Sequence, residues 1–136
     1  MSYFIAEEEI RSYEYKVINE KKPWRMASRH CWRLNGELVS IKSKAEQNYI
    51  EERTDRKQDY WIGFSNANGA KILSWSDGEQ LGYKNFNHPG EERDEKCYFM
   101  SSLDVGLWRV GNCLDKKSFI CKIPSTFFSF LCLLLQ

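Results

Sequence analysis

Cysteine spacing constrains this chain more than any other feature. Cys31, Cys97, Cys113, Cys121 and Cys132 are its five thiols, and no two of them form a C-x-x-C pair. Zinc-knuckle and thioredoxin-like readings, which need such pairs, therefore find no support. Four of the five lie in patterned sequence and the fifth in an apolar C-terminal stretch. Four well-separated cysteines in a small, aromatic-rich chain point to two disulfides formed in an oxidising compartment. Spacing alone permits three connectivities.

The 136 residues suffice for one compact domain with a single core. Hydrophobic residues make up 42% and aromatics 15%, including five Trp, which is a globular and not a disordered composition. The net charge of +1 has no basic block behind it. Nucleic acid binding needs a concentrated cationic face, so that class is excluded. The opening "MSYFIAEEEIRSYEYK" lacks an apolar core of signal-peptide length. The closing "STFFSFLCLLLQ" is apolar but about half the roughly 20 residues of a membrane span. With oxidised cysteines, both ends lead to the expectation of a segment or variant of a longer secretory-pathway protein, its parent anchored in a membrane.

Residues 1–12 read as an N-terminal extension, 13–124 as the domain and 125–136 as an apolar tail. "EYKVI" has strand character. In "KKPWRMASRHCWRLNG", Pro23 suits a first helical turn, and Trp24, Ala27, Cys31 and Leu34 recur at helical intervals. Asn35-Gly36 supplies a stop. "ELVSI" is a short strand. Ser43 and Glu46 then form a capping box for a second helix whose buried stripe is Ala45, Tyr49 and Ile50. From Tyr60 the pattern changes to short strands, "YWIGF", "ILSWS", "KCYFMSS", "GLWRVGNC" and "KSFICKI", separated by turn-rich segments. Two helices followed by antiparallel strands give an α+β architecture.

These residues resemble a known family. Trp24, Ala27 and Cys31, then "ELVSI", "WIGF", "WSDG", Cys97, "GLW" with Cys113 five residues beyond, and "FIC" stand in the order of the C-type lectin-like domain. The resemblance covers about residues 13–123. It implies a double-loop fold with a long loop and two disulfides, Cys31–Cys121 and Cys97–Cys113. Loops of about 90 and about 16 residues closed this way would stabilise by about 4–5 and about 3 kcal/mol. Trp61 and Phe64 of "WIGF" are expected in the core. The stretch "SWSDGEQLGYKNFNHPGEE" is similar, more narrowly, to the tandem domains of the mannose receptor family, which includes the secretory phospholipase receptor.

Sugar-binding members of that family hold calcium with a Glu-Pro-Asn or Gln-Pro-Asp tripeptide, a carboxylate before a strand cysteine, and Asn-Asp after the Trp of "GLW". Calcium needs about six to eight oxygens at short range. Here the tripeptide reads His88-Pro89-Gly90, or in a shifted alignment Glu91-Glu92-Arg93, and Arg109-Val110 follow Trp108. Glu95 alone matches a ligand position, beside Lys96. An auxiliary site would have Asn66 and Asn68 but no carboxylate. The expectation is no cofactor, with the calcium site lost; Pro89, at a position commonly cis in the family, shapes the loop.

The resulting expectation is a calcium-independent ligand-binding module of a cell-surface or endocytic receptor. It would recognise a protein, cationic in character, through His88, Glu91, Glu92, Asp94, Glu95 and Arg109, with calcium-dependent glycan binding as the alternative. Trp75, Tyr83 and Phe86 are candidate apolar anchors, Trp75 with more of a core character. No enzyme is expected, since neither His30 nor His88 stands in a nucleophile–base–acid pattern.

Overall fold

The computed structural model describes residues 2–67, 72–86, 95–125 and 134. Its elements run α1 (Ser2–Arg11), β1 (Tyr13–Lys22), α2 (Trp24–Arg33), β2 (Glu37–Leu38), α3 (Lys44–Glu51), β3 (Tyr60–Ser65), β4 (Ser74–Trp75), β5 (Cys97–Met100), β6 (Trp108–Gly111) and β7 (Lys117–Pro124). The sheet order is β1-β7-β3-β5-β6, with β2 paired to β7 and β4 to β3. One pair departs from the expected antiparallel pattern: β3 runs parallel to β7, Tyr60 opposite Ser118 and Trp61 opposite Phe119. The sheet is therefore mixed. Helix α1 is an element the sequence reading did not anticipate. Among the described residues no helix is long and apolar enough to cross a membrane. Cys132 and most of the apolar tail lie outside the described residues.

Helix α2 buries Trp24, Ala27 and Cys31 on one face, at the expected spacing, with Leu34 packed beside them. Pro23 sits one position earlier than expected, as the N-cap. At the other end Asn35, not Gly36, takes the left-handed conformation, at φ 65°. Gly36 serves a different purpose. A Cβ there would stand 2.5 Å from Ile123 Cγ1 and 2.7 Å from the Lys122 carbonyl, so only glycine lets α2 close onto β7. Gly63 of "WIGF" has the same character, since its Cβ would meet the Leu38 carbonyl at 2.5 Å. In the space left free, the Gly63 N–H donates to the Val39 carbonyl at 2.8 Å.

Helix α3 differs from the expected stripe. Ser43 caps it by accepting from the Glu46 N–H at 3.0 Å, but the Glu46 carboxylate returns to the Lys42 N–H at 2.8 Å. Ala45 and Tyr49 are half-buried, while Glu46 and Gln47 join Ile50 in the interior. The reason is that both polar residues find partners deep in the fold. Glu46 Oε2 accepts from the Tyr15 hydroxyl at 2.6 Å and pairs with Lys122 Nζ at 2.7 Å. Burial, and then the charge of Glu46, push the Tyr15 hydroxyl pKa far up. Gln47 accepts from Trp108 Nε1 at 2.9 Å and donates to the Gly106 carbonyl at 3.1 Å.

The described residues form two apolar clusters. One joins α2 to Trp61, Phe119 and all four bonded cysteines. The other gathers Ile50, Phe64, Trp75, Tyr98, Trp108 and Ile120. The bonds Cys31–Cys121 and Cys97–Cys113 are both formed, spanning 90 and 16 residues. Replacing Cys31 and Cys121 together by Ala is expected to lower unfolding stability by about 4–5 kcal/mol, against about 3 for the inner pair. Denaturant titration of the two double variants checks the order.

The "WSDG" turn carries an ion pair. Burial opposes ionisation of Asp77, but the Glu79 N–H at 3.0 Å and Lys42 Nζ at 3.0 Å outweigh it and hold the carboxyl pKa below its ordinary value. A depressed folded-state pKa contributes stability above the unfolded value, near about 3.9, that is lost as pH falls through the folded one. Asp77→Asn should therefore cost up to about 1 kcal/mol at neutral pH. The difference from the parent chain should shrink below about pH 4, as read by acid-side denaturation curves.

Candidate functional site

The candidate site lies around the base of the long loop, where β5 and β6 are tied by Cys97–Cys113. Of the loop residues read from sequence, His88, Glu91, Glu92 and Asp94 lie outside the described residues, as do Pro89 and Asn68. Glu95 and Arg109 are described, and they sit apart in the ladder. Glu95 precedes Cys97, which faces Gly111, whereas Arg109 faces Phe99 further along β5.

Each of the two is engaged by an opposite charge. Glu95 Oε2 stands 3.3 Å from Arg25 Nη2 of α2, both side chains about half exposed. Arg109 Nε pairs with Asp104. Neither Arg25 nor Asp104 stood out in the sequence, because each partner lies on another element or across a turn.

The fit to a metal can be tested on these residues. Glu95 and the sulfurs of Cys97 and Cys113 lie within 4.8 Å of one another. The two sulfurs are bonded together, however, so the group offers one carboxylate, already paired with Arg25, and no thiolate. Asn66, the auxiliary candidate, has its side-chain oxygen engaged by the Lys96 N–H at 2.7 Å, while its own N–H donates to the Lys96 carbonyl at 3.1 Å. The described residues thus fall short of the oxygen shell that calcium requires.

The aromatics ahead of the loop point inward. Trp75 is fully buried, 5.3 Å from Trp108 and 5.1 Å from Phe64 between ring centroids. Tyr83 and Phe86 are half-buried against Trp108 at 5.8 and 6.1 Å. They pin the described start of the loop onto the core. Burial, and then the charge of Glu51, raise the Tyr83 hydroxyl pKa. The Asn85 carbonyl accepts from the Trp108 N–H at 2.9 Å, and its amide donates to the Gly106 carbonyl at 3.0 Å. Trp75 is therefore a core side chain, while Tyr83 and Phe86 pack half-buried against Trp108 and are not the fully exposed anchors considered from sequence.

The turn between β5 and β6 supplies what sequence reading missed. Leu103 is 86% exposed and Val105 61% exposed, on either side of Asp104. Val105 has φ 48°, a left-handed conformation that crowds a β-branched side chain. Gln47 and Asn85 both clamp the next carbonyl, that of Gly106, and hold the turn in this strained form. Strain of this kind collects at functional surfaces. The exposed leucine and valine beside the Asp104–Arg109 pair offer a small apolar surface edged by charge.

Comparison with known proteins gives a consistent picture. The Lectin C-type domain family model matches residues 20–123. Lymphocyte antigen 75 of Mesocricetus auratus is 32% identical over 114 residues, covering 79% of this chain but 7% of its own length. Snaclec rhodocetin subunit beta of Calloselasma rhodostoma is 33% identical over 120 residues, covering 82% of this chain and 88% of its own. C-type mannose receptor 2 of Rattus norvegicus is 29% identical, with 8% of its length covered, so the chain spans a small part of the long receptors it matches. Among solved structures, a calcium-independent type II antifreeze protein aligns at TM-score 0.71 and 26% identity, over 83% of this chain and 87% of that one. The carbohydrate-recognition domain of cow CD23, solved in the presence of a GlcNAc2Man3 oligosaccharide, aligns at 0.74 and 26%, over 85% and 90%. With its two disulfides formed as that family's pattern implies, the chain belongs to the C-type lectin domain family.

Proposed function

We propose that this domain is a non-enzymatic module that binds a protein ligand without calcium, as part of a cell-surface or endocytic receptor. The observation that carries the reading is the pairing of Arg109 with Asp104, which stands in the chain between exposed Leu103 and Val105. A cation occupies the position after Trp108 where calcium-binding relatives place oxygens, and the apolar residues next to it suit a protein surface. Glu95, the remaining ligand-type carboxylate, is engaged by Arg25. A structural neighbour described as a calcium-independent antifreeze protein supports a reading without the ion, and the long receptors among the relatives support a receptor setting.

The acidic run Glu91, Glu92, Asp94 and Glu95 would favour a basic partner, chiefly by raising its association rate. Calcium-dependent glycan binding is the competing outcome.

Millimolar calcium or a chelator should leave the thermal midpoint unchanged, and a glycan array should show no calcium-dependent retention. A chelator-sensitive shift together with array binding would sink the reading. On a panel of secreted basic proteins, the triple change E91K/E92K/E95K should slow association about tenfold at low salt, an effect that fades as salt is raised. Unchanged association rates would remove the acidic run from the interface.

A further inference from the structure

Helix α2 turns toward solvent a face that the ligand site does not use. Its sequence, "WRMASRHCWR", holds three arginines and no carboxylate. Trp24, Ala27 and Cys31 are buried, while Arg25, Met26, Arg29, Trp32 and Arg33 are exposed. At about 100° per residue, the five exposed positions fall within an arc of about 120°, opposite the buried three. Arg25, Arg29 and Arg33 run down the middle of that arc, each about 6 Å further along the axis than the last. Trp32, 72% exposed, flanks the row on one side, and Met26, 52% exposed, on the other. Spaced by four in the chain, the arginines make no consecutive basic block, and only the helix brings them into line.

The charge on this row is largely uncompensated. Arg25 pairs with Glu95 at 3.3 Å. Among the described residues no carboxylate stands within ion-pair distance of Arg29 or Arg33. An exposed pair such as Arg25–Glu95 contributes little in water, so it yields readily to a stronger anion. A guanidinium fork can donate to two oxygens of one oxyanion at once.

Three like charges on a face this narrow would be costly to desolvate against a folded protein. A polyanion meets them in water instead, and its binding is driven by release of its own counterions. The two disulfides belong to an oxidising compartment, whereas the anionic membrane surface is that of the cytoplasmic leaflet. The polyanion abundant outside the cell is sulfated polysaccharide. The indole of Trp32 adds a flat apolar surface on which a sugar ring can stack between sulfates.

We propose that the outer face of α2 binds sulfated polysaccharide, with Arg25, Arg29 and Arg33 engaging its sulfates and Trp32 a sugar ring. The site needs no metal, and it stands whether or not the long loop binds a protein. Glu95 connects the two surfaces, because it competes with the sulfates for Arg25.

Titration of the full chain with a heparin decasaccharide tests this. R29S/R33S should weaken binding at least about tenfold near 0.15 M salt and flatten the slope of log affinity against log salt by about 1.5. W32A should weaken binding about threefold and leave that slope unchanged, since stacking is not ionic. E95Q should strengthen binding about twofold by freeing Arg25. The control pair R56S/K57S removes as many charges from the exposed connection between α3 and β3, and should stay within about twofold of the parent. All these side chains are exposed, and far-ultraviolet circular dichroism confirms that the variants remain folded. A parent chain that does not bind the decasaccharide near 0.15 M salt overturns the proposal. So does a control pair that costs as much as R29S/R33S, or equal binding to unsulfated hyaluronan. Stronger binding to phosphatidylserine vesicles, duplex DNA or a glutamate-rich peptide than to heparin also overturns it.

Discussion

The fold depends first on the cross-link between Cys31 and Cys121. It ties the last turn of α2 to the last strand, across 90 residues that include most of the chain's elements. Because β7 sits between β1 and β3 in the sheet, fixing α2 to it also fixes the position of the helix over the sheet. Trp24 extends the same constraint. Its indole N–H donates to the Ile62 carbonyl at 2.9 Å, and its backbone N–H to the Cys113 carbonyl at 3.0 Å, so α2 touches both disulfide-bonded regions.

Helix α3 does the complementary work through polar groups. Adjacent residues Glu46 and Gln47 reach in two directions, one to β1 and β7 through Tyr15 and Lys122, the other to Trp108 and the turn at Gly106. A buried ion pair is costly to desolvate, and it is tolerated here because its partners are several. Lys122 also donates to the Ser40 carbonyl at 3.1 Å and stands 4.5 Å from the Tyr13 ring. Through Gln47, the conformation of the exposed Leu103–Val105 turn is anchored in the interior. Exposed Leu103 and Val105 are thus positioned through a buried amide.

Cysteine positions, "WIGF" and the helical spacing of Trp24, Ala27 and Cys31 were legible because each obeys a local rule that the whole fold also obeys. Where local and global demands diverged, the sequence misled. Glu46 and Gln47 look like a solvated helix face until partners on distant strands are in view. Asn35 and Gly36 are both credible helix stops, and the deciding factor was the approach of Ile123, which lies near the other end of the chain. Tyr83 and Phe86 sit in a turn-rich loop, where exposure is the ordinary expectation. The packing of Trp108 draws them in. At the site, the acidic run was visible but its nearest described member was not visibly paired, since Arg25 is 70 residues away.

The parallel contact of β3 with β7 also governs when the molecule can form. Tyr60 and Trp61 meet Ser118 and Phe119 only after nearly the entire domain has been synthesised, and the outer disulfide waits for the same strand. Contacts so distant in sequence close slowly, because the intervening chain must lose its freedom first. Until then the apolar central strand "YWIGFS", buried at every position in the finished sheet, stays uncovered on the β7 side. A nascent chain of this kind needs protection from its neighbours for as long as its final strand is missing.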